Sequence, residues 1–238
     1  TININSADSM TGTVEIAEYV ANQTVNVAKG TLELKDNTAV ANTHINVDAG
    51  AGMSVLSGTT FRGNSATTSG GAIYNAGALT ISNAEFENNS TTTGDGGAIK
   101  INATSSSDVT SISNSTFTGN TTSLTSNADS GAISLRVGKL VLNNVTFDAN
   151  KAAEGGAIET YTNDNYVEIT NGSFENNESV SAFGALGVFG RGGVNTITDT
   201  TFESNHANRT TKTPNASSMG GGAIGIGSEA KVVISGDA

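Results

Sequence analysis

The side chains that most often perform acid–base chemistry are scattered along this chain. Histidine occurs only at His44 and His206 and cysteine is absent, so the sequence has no metal-ligand spacing of these two residue types. Aspartates such as Asp95, Asp108, Asp129, Asp148, Asp164 and Asp199 are scattered and fall mostly at turns. Polysaccharide lyases and hydrolases need grouped carboxylates, often with a basic residue placed to take a proton. The sequence therefore predicts no catalytic, metal or cofactor site, although a stacked fold is able to gather acids from separate segments.

A second acidic pattern follows a recurring phenylalanine. The residue after this phenylalanine is acidic at Glu87, Asp148, Glu175 and Glu203. If the phenylalanine points inward, the acid points outward, and the last three stack about 5 Å apart. Each like-charged neighbour then costs on the order of 1 kcal/mol in water. We favour an exposed stripe that keeps the surface soluble, and the alternative hypothesis is weak binding of divalent cations.

A locally basic segment offers a candidate contact with a partner. The longest insertion between repeated motifs, 206–219, holds His206, Arg209, Lys212 and Pro214. The chain has a net charge of −11, which makes nucleic acid an unsuitable partner. The segment is therefore a candidate partner-binding loop, and its alternative is a mobile insertion with no partner. At a second variable corner, 159–166, we expect Tyr161 and Tyr166 to pack on the outer sheet.

These residues are carried by an internal repeat with two signatures. Phenylalanine is followed three positions later by asparagine at Phe61/Asn64, Phe86/Asn89, Phe117/Asn120, Phe147/Asn150, Phe174/Asn177 and Phe202/Asn205. The phenylalanines are 25, 31, 30, 27 and 28 residues apart. After each pair comes a Gly-Gly-Ala-Ile motif or a close variant, whose glycine-alanine step lies at 71–72, 97–98, 131–132, 156–157, 184–185 and 222–223. This period indicates a repeat protein.

Each module also contains a short alternating run before the next phenylalanine. These runs lie at 79–81, 109–112, 140–142, 167–169, 194–197 and 232–234. Three short strands in a turn of this length are typical of a parallel β-helix, in which like side chains stack about 4.8 Å apart. We therefore predict an all-β fold: a right-handed, single-stranded parallel β-helix (β-solenoid) with three short strands per coil.

The recurring residues have structural roles in such a fold. Phenylalanine stacks on phenylalanine inside, and asparagine forms a hydrogen-bonded ladder. We expect these ladder asparagines to adopt the left-handed conformation, and the glycines to turn the corner. Residues 1–57 lack both signatures but alternate well, so we read them as plainer N-terminal coils. Residues 58–238 hold the six repeat modules, and a seventh starts at Val232 without reaching its phenylalanine.

The ends and the hydropathy of the chain suggest that it is a piece of a longer protein. No apolar run approaches the ~18 residues that span a bilayer. The first residues alternate without a basic and then apolar stretch, which predicts that any export signal lies outside this piece. We therefore expect this fragment itself to make no membrane contact.

The two signatures together resemble the repeats of the polymorphic outer membrane proteins first known from chlamydiae. This resemblance covers roughly residues 58–238. It implies an autotransporter, in which a β-helical passenger is exported through a C-terminal β-barrel and displayed outside the cell, commonly for adhesion. It further implies a bacterial cell-surface location and a membrane anchor in the full-length protein.

Two kinds of function other than adhesion remain open. The expected partners of an adhesin are a host-cell receptor, a matrix protein, a glycan or a second copy of the chain. The alternatives are a polysaccharide lyase or hydrolase on the same scaffold, and a passive or self-associating stalk, because fold alone does not determine function. Three or more acids that face one groove would favour the enzyme.

Overall fold

The computed structural model describes residues 1–4, 13–16, 19–35, 38–124, 128–161, 164–208, 221–227 and 229–236. All the regular elements in these ranges are β-strands, and all the strand pairs are parallel. No helix that is long and apolar enough to cross a bilayer occurs in this part of the chain. The predicted parallel β-helix is confirmed.

The first four coils contain short strands only. They are β1 (Ile2–Ile4), β2 (Thr13–Ile16), β3 (Tyr19–Ala21), β4 (Thr24–Val27), β5 (Thr31–Leu34), β6 (Ala39–Ala41), β7 (His44–Val47), β8 (Gly52–Val55), β9 (Thr60–Arg62), β10 (Ser65–Ala66), β11 (Ile73–Asn75), β12 (Ala78–Ser82), β13 (Glu85–Glu87) and β14 (Ser90–Thr91).

The later coils include two long strands that turn between faces of the helix without a break. They are β15 (Ile99–Asn102), β16 (Val109–Thr118), β17 (Ile133–Asp148), β18 (Lys151–Glu154), β19 (Ile158–Thr160), β20 (Asn165–Thr170), β21 (Ser173–Glu175), β22 (Glu178–Ala182), β23 (Leu186–Val188), β24 (Val194–Thr198), β25 (Thr201–Glu203), β26 (His206–Ala207), β27 (Ile224–Ile226) and β28 (Lys231–Ser235).

Equivalent strands of successive coils form three long ladders. The corner ladder carries the Gly-Gly-Ala-Ile strands and joins β1, β4, β7, β11, β15, the start of β17, β19, β23 and β27. The middle ladder runs from β2 to β28, and the phenylalanine ladder runs from β3 to β25. In register, Ile45 pairs with Ile73 and Val40 pairs with Phe61, so residues 1–57 continue the same ladders.

A fourth, shorter ladder follows the phenylalanine strand. It joins β10 to β14 and β18 to β22 and β26, and Thr121 bridges the two groups. The sequence predicts only three strands per module, because runs such as Ser65–Ala66 are too short for their alternation to be visible.

The apolar core is a continuous column inside the ladders. It contains alternate residues of each strand, for example Leu140 and Leu142 of β17, which are at most 1% exposed. Each coil adds only a few such side chains, and its neighbours seal them from water. This arrangement explains how a chain with 5% aromatic residues has a buried core along its length.

The left-handed residues lie one position earlier than expected. The ladder asparagines do not have positive φ angles; the residue before each one does, at Gly63, Asn88, Gly119, Ala149, Asn176 and Ser204. The prediction was therefore wrong by one residue. The physical reason is that the ladder amide must point into the coil, so the preceding residue takes the turn.

Candidate functional site

The six predicted phenylalanines form one stack along the β-helix. Successive ring centroids, from Phe61 to Phe202, lie 4.4–5.0 Å apart, and the interplanar angles are 14° or less. Five of the rings are fully buried, while Phe202 is partly exposed. The stack packs like side chains at the coil spacing, so its role is structural.

The six predicted asparagines form a continuous amide ladder beside the stack. In one step, Asn120 Nδ2 donates to Asn150 Oδ1 at 3.0 Å and to the carbonyl oxygen of Phe86 at 2.9 Å. Asn120 Oδ1 accepts from both the backbone N–H and the side-chain amide of Asn89, at 3.0 and 2.9 Å. The same pattern links Asn64 to Asn205 through Asn89, Asn120, Asn150 and Asn177. Each interior amide therefore has all its hydrogen-bonding capacity satisfied.

The second glycine of each Gly-Gly-Ala-Ile motif lies where two coils touch. A Cβ atom on Gly71, Gly97, Gly131, Gly156 or Gly184 would collide with the carbonyl oxygen of the equivalent glycine one coil later. The first motif residue has a positive φ angle in the first five motifs, even where it is Ser130 (66°) or Phe183 (59°). The second position therefore excludes every side chain, while the first tolerates a strained one.

A cluster of charged side chains surrounds this corner in three successive coils. The residue before the motif is acidic at Asp95, Asp129 and Glu154, and the backbone bridge between Asp129 and Glu154 places these acids one above the other. The residue after the motif forms a second column, in which Lys100 pairs with Ser134 and Ser134 with Glu159. We call Asp95, Lys100, Asp129, Glu154, Glu159 and Tyr161 the corner cluster. Its four carboxylates face one ammonium group.

One half of the corner cluster is fully satisfied. Asp95 Oδ2 accepts from Lys100 Nζ at 2.7 Å and from the Tyr161 hydroxyl at 2.7 Å, and Asp95 Oδ1 accepts from the Asp129 backbone N–H at 3.1 Å. Burial alone would raise the pKa of Asp95, but the charge and hydrogen bond of Lys100 outweigh it and hold that pKa below its usual value. Burial also lowers the pKa of Lys100.

Tyr161 covers this half of the cluster. Lys100 Nζ lies 4.5 Å from the centroid of its ring, and its hydroxyl also contacts Asp129 Oδ2 at 3.1 Å. Burial and the hydrogen bond to Asp95 raise the pKa of Tyr161, so this hydroxyl stays protonated and acts as a donor.

The other half of the corner cluster consists of three carboxylates that form no ion pair with a Lys or Arg side chain in the described ranges. The nearby guanidinium of Arg136 lies 5.6 Å from the Tyr161 ring centroid. One oxygen from each of Asp129, Glu154 and Glu159 lies within 4.8 Å of the other two. Glu159 is 6% exposed, and its Oε2 atom has no hydrogen-bond partner. Burial, followed by the charges of Asp95 and Glu154, raises the pKa of Asp129 to about 7. Burial and the charge of Asp129 raise the pKa of Glu159 well above its usual value.

The corner cluster was not predicted from the sequence, although a signal was present. Aligning the modules on Gly-Gly-Ala-Ile puts Asp95, Asp129 and Glu154 in one column, and Lys100 and Glu159 in another. Asp95 and Asp129 are 34 positions apart in the chain, and they become neighbours only when the modules are aligned with one another. The contribution of Tyr161 had no such signal.

One module of the repeat matches the model of a known protein family. Residues 58–76 match the model described as the Chlamydia polymorphic membrane protein (Chlamydia_PMP) repeat. This stretch of the chain is similar to that repeat. It includes Phe61, Asn64 and the motif Gly70-Gly71-Ala72-Ile73, so the predicted resemblance is confirmed for this module. Comparisons with curated proteins and with solved structures found no match.

The predicted acidic stripe lies on the outside of the phenylalanine ladder in this repeat protein. Asp148 pairs in register with Glu175, and Glu175 with Glu203. Glu87 forms an ion pair with Arg62 at 2.6 Å. Because these four side chains lie at the surface, water screens their repulsion. Weak cation binding by this stripe stays a prediction.

The predicted partner-binding loop is described only at its start. His206 belongs to β26, where it pairs with Glu178 of the preceding coil. Arg209, Lys212 and Pro214 lie outside the described residues. The assignment of this loop to partner binding stays a prediction.

Proposed function

We propose that this chain is part of a surface-displayed, autotransporter-type passenger that mediates adhesion to host or neighbouring cells. One observation carries the proposal: residues 58–76 match the model of the Chlamydia polymorphic membrane protein repeat, and they lie within one of the stacked coils of the β-helix. The matched model describes a membrane protein, which supports a bacterial cell-surface location for this chain.

The architecture suits display at a distance from the anchor. Each coil adds about 4.8 Å of length, and variable segments leave the helix at equivalent corners. Loops positioned by a rigid scaffold are frequent binding sites. The segment 206–219, with His206, Arg209, Lys212 and Pro214, is the longest insertion and the proposed contact with a receptor, matrix protein or glycan.

Binding of the intact fragment tests this function. Beads coated with the folded chain should bind cultured cells, matrix proteins or a glycan array in a saturable manner. The double variant Arg209→Ala/Lys212→Ala should weaken this binding, whereas Arg62→Ala, which removes a basic side chain from strand β9 of the phenylalanine ladder, should not. If coated beads bind no better than bare beads, the adhesive function is wrong. Clumping of the beads with one another would identify self-association as the mode of adhesion.

A polysaccharide hydrolase or lyase is the second candidate, because the corner cluster brings together acids from separate coils. Glycosidase carboxyl groups lie roughly 5–5.5 Å or 6.5–9.5 Å apart and flank an open cleft. Here the oxygens of Asp129, Glu154 and Glu159 lie within 4.8 Å, and Glu159 is 6% exposed. The burial of Glu159 favours a non-catalytic role. Release of reducing or unsaturated ends from a polysaccharide panel, lost in Asp129→Asn, would reverse that preference.

A further inference from the structure

Glu159 is a buried carboxyl group with one unpartnered oxygen. It is 6% exposed, and its Oε2 atom accepts no hydrogen bond. Transfer of an ionised carboxylate out of water is costly unless another charge compensates it. Lys100 does not fill this role, since its ammonium donates to Asp95 Oδ2 at 2.7 Å and to Ser134 Oγ at 2.9 Å.

The backbone at this corner leaves room for the carboxylate. A Cβ atom on Gly155 would lie 3.1 Å from Glu159 Oε2, and Gly155 precedes the tight contact made by the second motif glycine. Glu154, directly before Gly155, and Asp129 in the preceding coil direct oxygens to the same place. Three coordinating groups therefore converge from two successive coils.

We propose that Asp129, Glu154 and Glu159 bind one divalent cation of calcium size. The cation would link the coil that holds Asp129 to the coil that holds Glu154 and Glu159. This site differs from the exposed stripe, and it does not depend on the adhesive function.

A set of three carboxylates from two coils favours calcium, whose coordination is flexible, over magnesium, which demands near-ideal octahedral geometry and loses its water reluctantly. Calcium takes 6–8 oxygens at about 2.3–2.6 Å, so oxygens on opposite sides of the ion lie up to about 5 Å apart. Magnesium requires about 2.0–2.1 Å, which limits the same separation to about 4.2 Å. One oxygen from each of the three carboxylates lies within 4.8 Å of the other two, and the flexible coordination of calcium allows small movements to bring them to bonding distance. Water would complete the coordination.

Thermal unfolding of the full chain, with and without calcium, tests the proposal. For a dissociation constant of about 10⁻⁴ M, 10 mM CaCl₂ should raise the midpoint by about 5–10 °C over the value in EDTA. MgCl₂ at the same concentration should have a smaller effect. Titration calorimetry should give a stoichiometry of about one calcium per chain.

Two variants separate the corner site from the surface. In EDTA, Glu159→Gln should unfold at a higher temperature than the wild type, because it removes the cost of ionising a buried carboxyl group, and calcium should no longer shift its midpoint. Glu175→Gln, a matched change in the exposed stripe, should keep the full calcium response. An absent response in the wild type, or a response that Glu175→Gln abolishes and Glu159→Gln retains, would overturn the proposal. Neither result bears on adhesion, which the bead assay measures separately.

Discussion

The asparagine ladder makes a quantitative prediction about the stability of the β-helix. Replacing Asn120 by alanine removes an amide that makes four hydrogen bonds inside the coil, where Asn120 is 0% exposed. Two buried donors of Asn89 then lose their acceptor: its backbone N–H and one hydrogen of its side-chain amide. An unsatisfied buried donor costs about 1–3 kcal/mol, so Asn120→Ala should lower the free energy of unfolding by about 2–6 kcal/mol.

Asn46 provides a matched control on the outside of the corner ladder. Its Nδ2 atom donates to Asn26 Oδ1 at 3.0 Å, in a ladder that resembles the internal one, but its side chain is partly exposed. Water replaces this partner in Asn46→Ala, so the loss should stay below about 1 kcal/mol.

Urea unfolding followed by circular dichroism at the β-sheet band measures both variants under identical conditions. The expected result is a clear fall in the midpoint for Asn120→Ala and a small one for Asn46→Ala. Equal losses would refute the reasoning, because burial of the ladder would then make no difference to its contribution.

Three further predictions concern the corner, the core and the cluster. Gly131→Ala should prevent stable folding, because the added Cβ would collide with the carbonyl oxygen of Gly156 and lie 2.5 Å from a backbone nitrogen. Gly63→Ala, with open space around the added Cβ, should cost only about 1 kcal/mol. Expression levels and unfolding midpoints of the two variants test this difference. Phe117→Ala should cost about 3–5 kcal/mol in urea unfolding, and a loss under 1 kcal/mol would contradict the stacked core. In EDTA, stability should fall by on the order of 2 kcal/mol between pH 5 and pH 8. The pKa of Asp129 is about 7 in the folded chain and near 3.8 in the unfolded chain, so the folded chain binds this proton more tightly. The resulting stabilisation is complete below about pH 3.8 and is lost as the pH rises through 7. Asp129→Asn should therefore flatten the profile.

The fold was predictable because its determinants repeat along the chain. The inward positions of Phe86 and Phe117 follow from alternation and period, and they pair in register as expected. The fourth ladder and the left-handed residues were not predictable in detail. Runs of two residues carry no periodicity, and the position of a turn depends on which side chain the coil must bury.

The side-chain contacts of the corner cluster cannot be predicted from the order of residues along the chain. Asp95 and Tyr161 are 66 positions apart, yet the Tyr161 hydroxyl donates to Asp95 at 2.7 Å. Their contact depends on the register of coils that differ in length, and on the path of the chain after β19. An alignment of the modules identifies the acidic columns but not the side chain that covers them.

The amino-acid sequence alone determined the period of the coil, the inward side chains and the glycine corners, because these depend on local sterics and on apolar burial repeated at a constant interval. Only the tertiary structure decided which charged groups meet and how much water reaches them. Coulomb and desolvation energies depend on distances and solvent exclusion in three dimensions. For that reason Asp129, an ordinary turn aspartate in the sequence, has a pKa of about 7 in the folded chain.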